Sequence, residues 1–230
     1  MHELGFLNSK CEFPKPASLE MVELGLERWH QSADQYVKDG NYKLANFLKR
    51  MAKDQLGQKI LGAIFGNSPF LTSIILKDTT FFQDLIKRGP DEILKELLRG
   101  PKKAILDDPD DKQLAKFLRV TKSRVALTIA IADITGTWNL TKVTRGLSEF
   151  ARVALQLATI KVLKNASKQG HLKLKYPNQP EQESGLIIIA MGKLGARELN
   201  YSSDIDLIIL FDPERVNSEK SENIQKIFIR

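Results

Sequence analysis

The 230-residue sequence predicts a mainly α protein in which a long helical region is followed by a small α+β unit. Three observations carry this. Apolar residues recur at helical spacing from Leu19 to about Lys168, two short Ile-rich runs at Leu186 to Met191 and Leu207 to Phe211 break that pattern, and a polar connector with Pro177 and Pro180 spans Gly170 to Ser184. Short apolar runs rich in β-branched residues and bounded by turn formers read as buried strands.

The elements follow in order. Leu19, Val22, Leu26, Trp29, Ala33 and Tyr36 form the apolar stripe of a helix from Leu19 to Lys38, ended by Asp39-Gly40. Tyr42 to Gly62 continues the pattern, and Gly66-Asn-Ser-Pro69 makes a turn. Phe70 to Lys87 gives one or two short helices stopped by Gly89-Pro90, and Asp91 to Arg99 gives another stopped by Gly100-Pro101. Asp107-Asp-Pro-Asp-Asp111 is a turn and an N-cap for a helix from Lys112 to Ile134. Asp133 reads as a buried partner for Arg124 or for a backbone group. Thr141 or a neighbour starts a helix to about Lys168, with Val143, Leu147, Phe150, Ala154, Leu157 and Val162 on one face. The helical region covers residues 1–138 and the second unit residues 139–230. Ile224-Gln-Lys-Ile-Phe-Ile-Arg230 is apolar-periodic with no stop signal, which reads as a helix cut in its interior.

Bulk properties narrow the function classes. Met1 to Phe13 lacks the apolar core of a signal peptide, and the longest apolar stretch, Val125 to Ile134, is interrupted by Thr128 and Asp133. It falls short of the roughly 20 residues a membrane span requires, so no membrane role is expected. Cys11 is the single cysteine and can form no internal disulfide, which suits a reducing cytoplasm. His2, His30 and His171 show no metal-ligand spacing. The net charge of +7 is interleaved with 28 acidic residues, without a basic block or an aromatic-basic motif. This is the pattern of a solvated basic surface, suited to an acidic partner protein and not to nucleic acid.

The chemistry concentrates between the two Ile-rich runs. On a strand, alternate side chains share a face, so Asp204 and Asp206 are expected a few ångströms apart on one side. Two carboxylates that close are unfavourable unless a cation or proton compensates them, and Mg²⁺ takes such hard oxygen ligands together with substrate phosphates. The connecting loop supplies the other half: Gly192 and Gly195 let backbone N–H groups approach an anion, Lys193 and Arg197 bring positive charge, and Ser202 and Ser203 bring hydroxyl donors. Neither Gly-x-Gly-x-x-Gly nor Gly-x-x-x-x-Gly-Lys-Ser/Thr is present, so neither a Rossmann nor a Walker-type loop is indicated. Each residue also has a simpler reading: Asp204 as a strand-edge cap, Lys193 and Arg197 as solvated charges, Glu198 as the ion-pair partner of one of them, Ser202 and Ser203 as turn formers.

The stretch Met191-Gly-Lys-Leu-Gly-Ala-Arg-Glu-Leu-Asn-Tyr-Ser-Ser-Asp-Ile-Asp-Leu207 resembles the signature of the bacterial glutamine synthetase adenylyltransferase/adenylyl-removing enzyme family, within the polymerase-beta-like nucleotidyltransferase superfamily. Gly66-Asn-Ser-Pro-Phe-Leu71, Leu118-Arg-Val-Thr-Lys-Ser-Arg124, Ile129-Ala-Ile-Ala-Asp-Ile-Thr-Gly136 and Leu147-Ser-Glu-Phe-Ala151 resemble the N-terminal half of that family. Ala196 stands where a second loop glycine is expected.

The resemblance implies a truncated α+β nucleotidyltransferase domain, with the first two strands of a polymerase-beta-like sheet. It implies Mg²⁺ on Asp204 and Asp206, a third carboxylate beyond Arg230, nucleotide and phosphate as ligands, and glutamine synthetase and a PII signal protein as partners. Two nucleotidyltransferase domains occur in the family. The position of this motif after a helical N-terminal region implies the one that removes AMP, by phosphorolysis of a modified tyrosine to give ADP. Addition of AMP from ATP, and nucleotide or partner binding without turnover, are the alternatives. The 230-residue polypeptide alone is expected to be inactive.

Overall fold

Helix starts in this chain are set by side-chain oxygens that stand in for missing helical acceptors. In the computed structural model, which describes residues 12–104 and 109–216, Ser18 Oγ accepts from Met21 N at 3.2 Å and opens α1 (Leu19–Lys38). Asn41 does the same for α2 (Tyr42–Lys53) through Leu44 N. Cys11, the Asp107-Asp108 part of the acidic turn and the Ile224 to Arg230 stretch lie outside the described residues.

The expected continuous helix from Tyr42 to Gly62 is two helices. Asp54 turns extended (φ −72°, ψ 134°) and its Oδ1 accepts from both Leu56 N and Gly57 N at 3.0 Å, so it ends α2 and caps α3 (Gln55–Phe65). A carboxylate that satisfies two orphan N–H groups makes a new start worth about 1 kcal/mol. Gly57 fits there because an added β-carbon would overlap the Met51 carbonyl. Asn67 and Ser68 behave as the sequence predicts: Asn67 Nδ2 donates to Lys15 O and Ala63 O, and Ser68 caps α4 (Pro69–Lys77) with Pro69 in its first turn.

Asp78 then caps α5 (Thr79–Arg88) through Phe81 N, and its other oxygen receives Arg124 Nε at 2.8 Å. The carboxylate partner of Arg124 is therefore Asp78, and Asp133 is exposed instead of buried. A helix-capping carboxylate already fixed in place costs less to pair than one brought in from a neighbouring turn. The following helix, α6 (Pro90–Ala104), runs through Gly100-Pro101, where the sequence predicts a stop. One proline removes a single i→i−4 bond, and flanking turns can carry the helix past it.

The chain divides into two compact units. The first contains the described residues up to Leu97 together with Val120–Val143. Its core is built around Trp29, Phe47, Phe65 and Phe82, all fully buried, and the Trp29 ring meets Phe82 edge-on at 5.8 Å. Gly25 permits α1 to lie against α3, since a β-carbon there would stand 2.5 Å from the Phe65 ring. Trp29 Nε1 donates to Leu48 O at 2.9 Å, which satisfies the buried indole and ties α1 to α2.

The second unit contains Leu98–Arg119 and the chain from Thr144 onward. It takes the first turns of α7 (Asp111–Ile134) and most of α8 (Leu140–Lys168), then β1 (Leu186–Ala190), the single turn α9 (Gly192–Gly195) and β2 (Leu207–Phe211). Leu114 of α7 packs on Val153 and Leu157 of α8, and Leu163 packs with Leu172 and Val216 under Leu186 and Phe211. Val162, expected on the apolar face of α8, is instead 62% exposed. It lies about 140° around the helix from Leu157, whereas Leu163 is aimed at the strands.

The two strands pair antiparallel, in the register Leu186↔Phe211, Ile188↔Ile209 and Ala190↔Leu207. The structure is thus mainly helical with a small two-stranded sheet after the helices, as predicted. The expectation of buried strands is corrected. Ile187, Ile189, Ile208 and Leu210 share one face and are each 42% to 47% exposed. A sheet has two faces, and among the described residues only the Leu186/Phe211 side is packed. No described helix is long and apolar enough to cross a membrane.

Candidate functional site

The loop that joins β1 to β2 is held by a short series of backbone bonds. Gly195 N donates to Met191 O, Ala196 N to Gly192 O, Arg197 N to Leu194 O and Glu198 N to Lys193 O, at 2.8 to 3.0 Å. This builds the turn α9 immediately after β1. At its entrance Gly192 has φ +53°, a left-handed value that glycine adopts without steric cost. Gly195 is required for a different reason, since a β-carbon there would stand 2.5 Å from Ala190 O. Ala196 has φ −78° in the ordinary helical region, so nothing in the backbone at that position needs glycine.

Arg197 leaves the turn at φ +60°. For a residue with a side chain this costs about 1–2 kcal/mol, and two neighbours hold it there: the Glu198 N bond to Lys193 O and the anchorage of Leu199. Leu199 is buried, and its N–H donates to Ser148 Oγ on α8 at 3.1 Å. Ser148, itself buried, donates in turn to Thr144 O at 2.8 Å. The chain beyond Leu199 is therefore registered against α8 before it reaches the carboxylates.

Asp204 and Asp206 lie just ahead of β2, both exposed. Asp206 closes the ladder through its carbonyl, which accepts from Met191 N at 2.9 Å. Its Oδ2 is 3.4 Å from the position a β-carbon on Gly192 would take. Among the described residues neither carboxylate has a hydrogen-bonding or ion-pairing partner for its side chain. Ser203 Oγ donates to Asn200 Oδ1 and its N–H to Asn200 O, so this serine closes a local turn. Lys193 and Ser202 are exposed, and Glu198 pairs with neither Lys193 nor Arg197. Hard oxygen donors beside a glycine that leaves them room suit a divalent cation such as Mg²⁺.

The family described as glutamate-ammonia ligase adenylyltransferase matches residues 58–230, which runs from within α3 through the whole strand-loop-strand unit. The chain belongs to this family. Bifunctional glutamine synthetase adenylyltransferase/adenylyl-removing enzymes are similar to it in sequence. That of Bradyrhizobium sp. strain BTAi1 is 36% identical over 187 residues, 81% of this chain and 19% of the relative. That of Bradyrhizobium diazoefficiens is 36% identical over 183 residues, 80% of this chain and 18% of the relative. That of Agrobacterium fabrum is 37% identical over 157 residues, 66% of this chain and 16% of the relative. The chain spans about a fifth of the length of the curated relatives it matches. No solved structure matches it.

Within this adenylyltransferase-family chain, the residues singled out by sequence divide into two groups around the loop. Gly192 meets Asp206 on one side, while Gly195 and Arg197 line a cavity of about 610 Å³ together with Arg145, Glu149 and Arg152 of α8. Sequence reading missed Ser148 and the α8 arginines. Their signal was present as polar residues recurring at three- and four-residue spacing on one face of an otherwise apolar-patterned helix.

Proposed function

We propose that the chain is the N-terminal part of a Mg²⁺-dependent nucleotidyltransferase that removes AMP from the modified tyrosine of glutamine synthetase by phosphorolysis, releasing ADP. The observation that carries this is the pair of exposed carboxylates just ahead of β2, without a side-chain partner among the described residues, with Asp206 against the open side of Gly192. Asp204 and Asp206 would hold the ion, which supplies charge neutralisation for the phosphoryl oxygens when bound. Backbone N–H groups of the Gly192–Gly195 turn, with Lys193, Ser202 and Ser203, would orient the adenylyl phosphate and the incoming phosphate, while Arg197 lies on the α8 side of the loop. Transfer of this kind depends chiefly on alignment and electrostatics, which fits a site built from a hydrogen-bonded turn and two adjacent acidic residues. The substrate implies a cytoplasmic setting, and a PII signal protein is the proposed regulator.

The chain covers only 19% of a relative named for this activity, and among the described residues no three His, Cys, Asp or Glu side chains cluster as a ligand set. The 230-residue polypeptide alone is accordingly proposed to be inactive. The test is made in a protein of the relatives' full length carrying this segment. Adenylylated glutamine synthetase with phosphate and Mg²⁺ should yield ADP, and Asp204→Asn or Asp206→Asn should abolish that yield while glutamine synthetase binding persists. AMP addition from ATP that is lost with these same variants, with ADP release intact, would reverse the direction. Unchanged turnover in both assays would remove the metal assignment.

A further inference from the structure

Arg145, Ser148, Glu149 and Arg152 follow one another at helical spacing and form one stripe along α8. Across from them stand Ile188 and Ala190 of β1, and Gly195 and Arg197 of the loop, around the cavity of about 610 Å³. Ile188 and Ala190 belong to the face of the hairpin that carries Leu207 and Ile209. Asp206 precedes Leu207 and approaches Gly192, so the Gly192–Arg197 loop separates the cavity from the carboxylates.

Among the described residues, the charges in the cavity are unbalanced. Arg152 grips Glu149 at two points, Nε to Oε2 at 3.0 Å and Nη2 to Oε1 at 2.6 Å, and the Glu149 contact raises the pKa of that guanidinium further. Arg145 and Arg197 have no ion pair among the described residues. Among the described lining residues three guanidiniums therefore accompany one carboxylate, and Arg197 is brought there on a left-handed backbone. That left-handed value ends α9, where Arg197 N donates to Leu194 O and Glu198 N to Lys193 O, so the turn itself fixes where this side chain leaves the loop. Leu155, Ile188 and Leu194 supply an apolar wall beside the charges.

We propose that this cavity is a second anion site, which takes a phosphate group between Arg145 and Arg197 and is separate from the carboxylate pair. Planar guanidiniums from two different elements can present paired N–H donors to one tetrahedral anion, a geometry that lysine does not offer. The apolar wall gives room for a nucleoside attached to the phosphate. The proposal does not depend on the reaction assigned above.

The test is isothermal titration of the intact 230-residue chain with inorganic phosphate and, separately, with AMP, both without divalent metal. Saturable binding is expected, weakened at least tenfold by Arg145→Gln, partly restored by Arg145→Lys, and unchanged by the double variant Asp204→Asn/Asp206→Asn. Arg152→Gln gives a second, independent weakening should Arg145→Gln lose its helical circular dichroism. Tighter binding of AMP than of phosphate identifies a nucleoside phosphate as the ligand; equal binding identifies the free ion. Absence of saturation with both probes, indifference to both arginine changes, or loss of binding in the aspartate double variant overturns the proposal.

Discussion

Asp206 Oδ2 lies 3.4 Å from the point where a β-carbon of Gly192 would stand, and Gly192 itself has φ +53°. Glycine here both takes the left-handed backbone and leaves room for the carboxylate. Gly192→Ala should cost about 1–2 kcal/mol in left-handed strain and place a methyl group in contact with the carboxylate oxygen. Chemical denaturation should show the first effect, and weakened Mg²⁺ affinity the second.

Neutralising either carboxylate keeps its size and removes its charge. If the proposed reaction holds, in a protein of the relatives' full length carrying this segment Asp204→Asn and Asp206→Asn should each lower kcat by about a hundredfold or more, an effect of several kcal/mol on the barrier. Steady-state assay with excess Mg²⁺ checks this, and chelation of the metal should reproduce the loss in the unmodified protein.

Ser148→Ala leaves the buried Leu199 N–H without its acceptor. A buried donor left unsatisfied costs about 1–3 kcal/mol. Amide exchange at Leu199 should accelerate relative to amides elsewhere in α8, and the urea midpoint should fall. An unchanged exchange rate would mean that the loop is positioned by something other than α8.

Trp29→Phe keeps most of the aromatic volume but removes the buried indole bond to Leu48 O that ties α1 to α2. A loss of about 1–3 kcal/mol is expected, read from urea denaturation. It should exceed the loss from Tyr36→Phe, whose hydroxyl partner Thr79 is reached at only a partly buried position.

Lys175 holds the exposed Glu183 carboxyl below its ordinary range, chiefly by a direct hydrogen bond, and is itself raised by the same contact. Because Glu183 is depressed, its share of the contact is present above the carboxylate's unfolded value and disappears as pH falls through the folded one. Because Lys175 is raised, its share is present below the unfolded lysine value and is lost as pH rises through the folded one. NMR titration of Glu183 should therefore move upward in Lys175→Ala, and the difference should shrink in high salt.

Much of the fold was legible because local rules govern it. α1 has the bounds its apolar stripe predicts, and Asn67-Ser68-Pro69 caps and turns as its composition requires. Asp54 was misread because nothing in a periodic pattern announces that a mid-pattern carboxylate will cap two N–H groups. The proline at 101 was misread in the opposite sense, as a stop where the helix continues. Asp133 failed for a third reason: pairing Arg124 with Asp78 spans 46 residues, a distance over which sequence spacing carries no information.

Sequence alone determined the helical class, the two strands and the loop between them, along with the acidic pair and the glycines, because periodicity and residue chemistry are written locally. Tertiary structure decided that Ser148 holds Leu199, that Arg197 turns toward the arginines of α8, and that one face of the sheet stays exposed. These are contacts between segments about 50 residues apart, selected by which faces pack, and packing is a property of the folded chain as a whole.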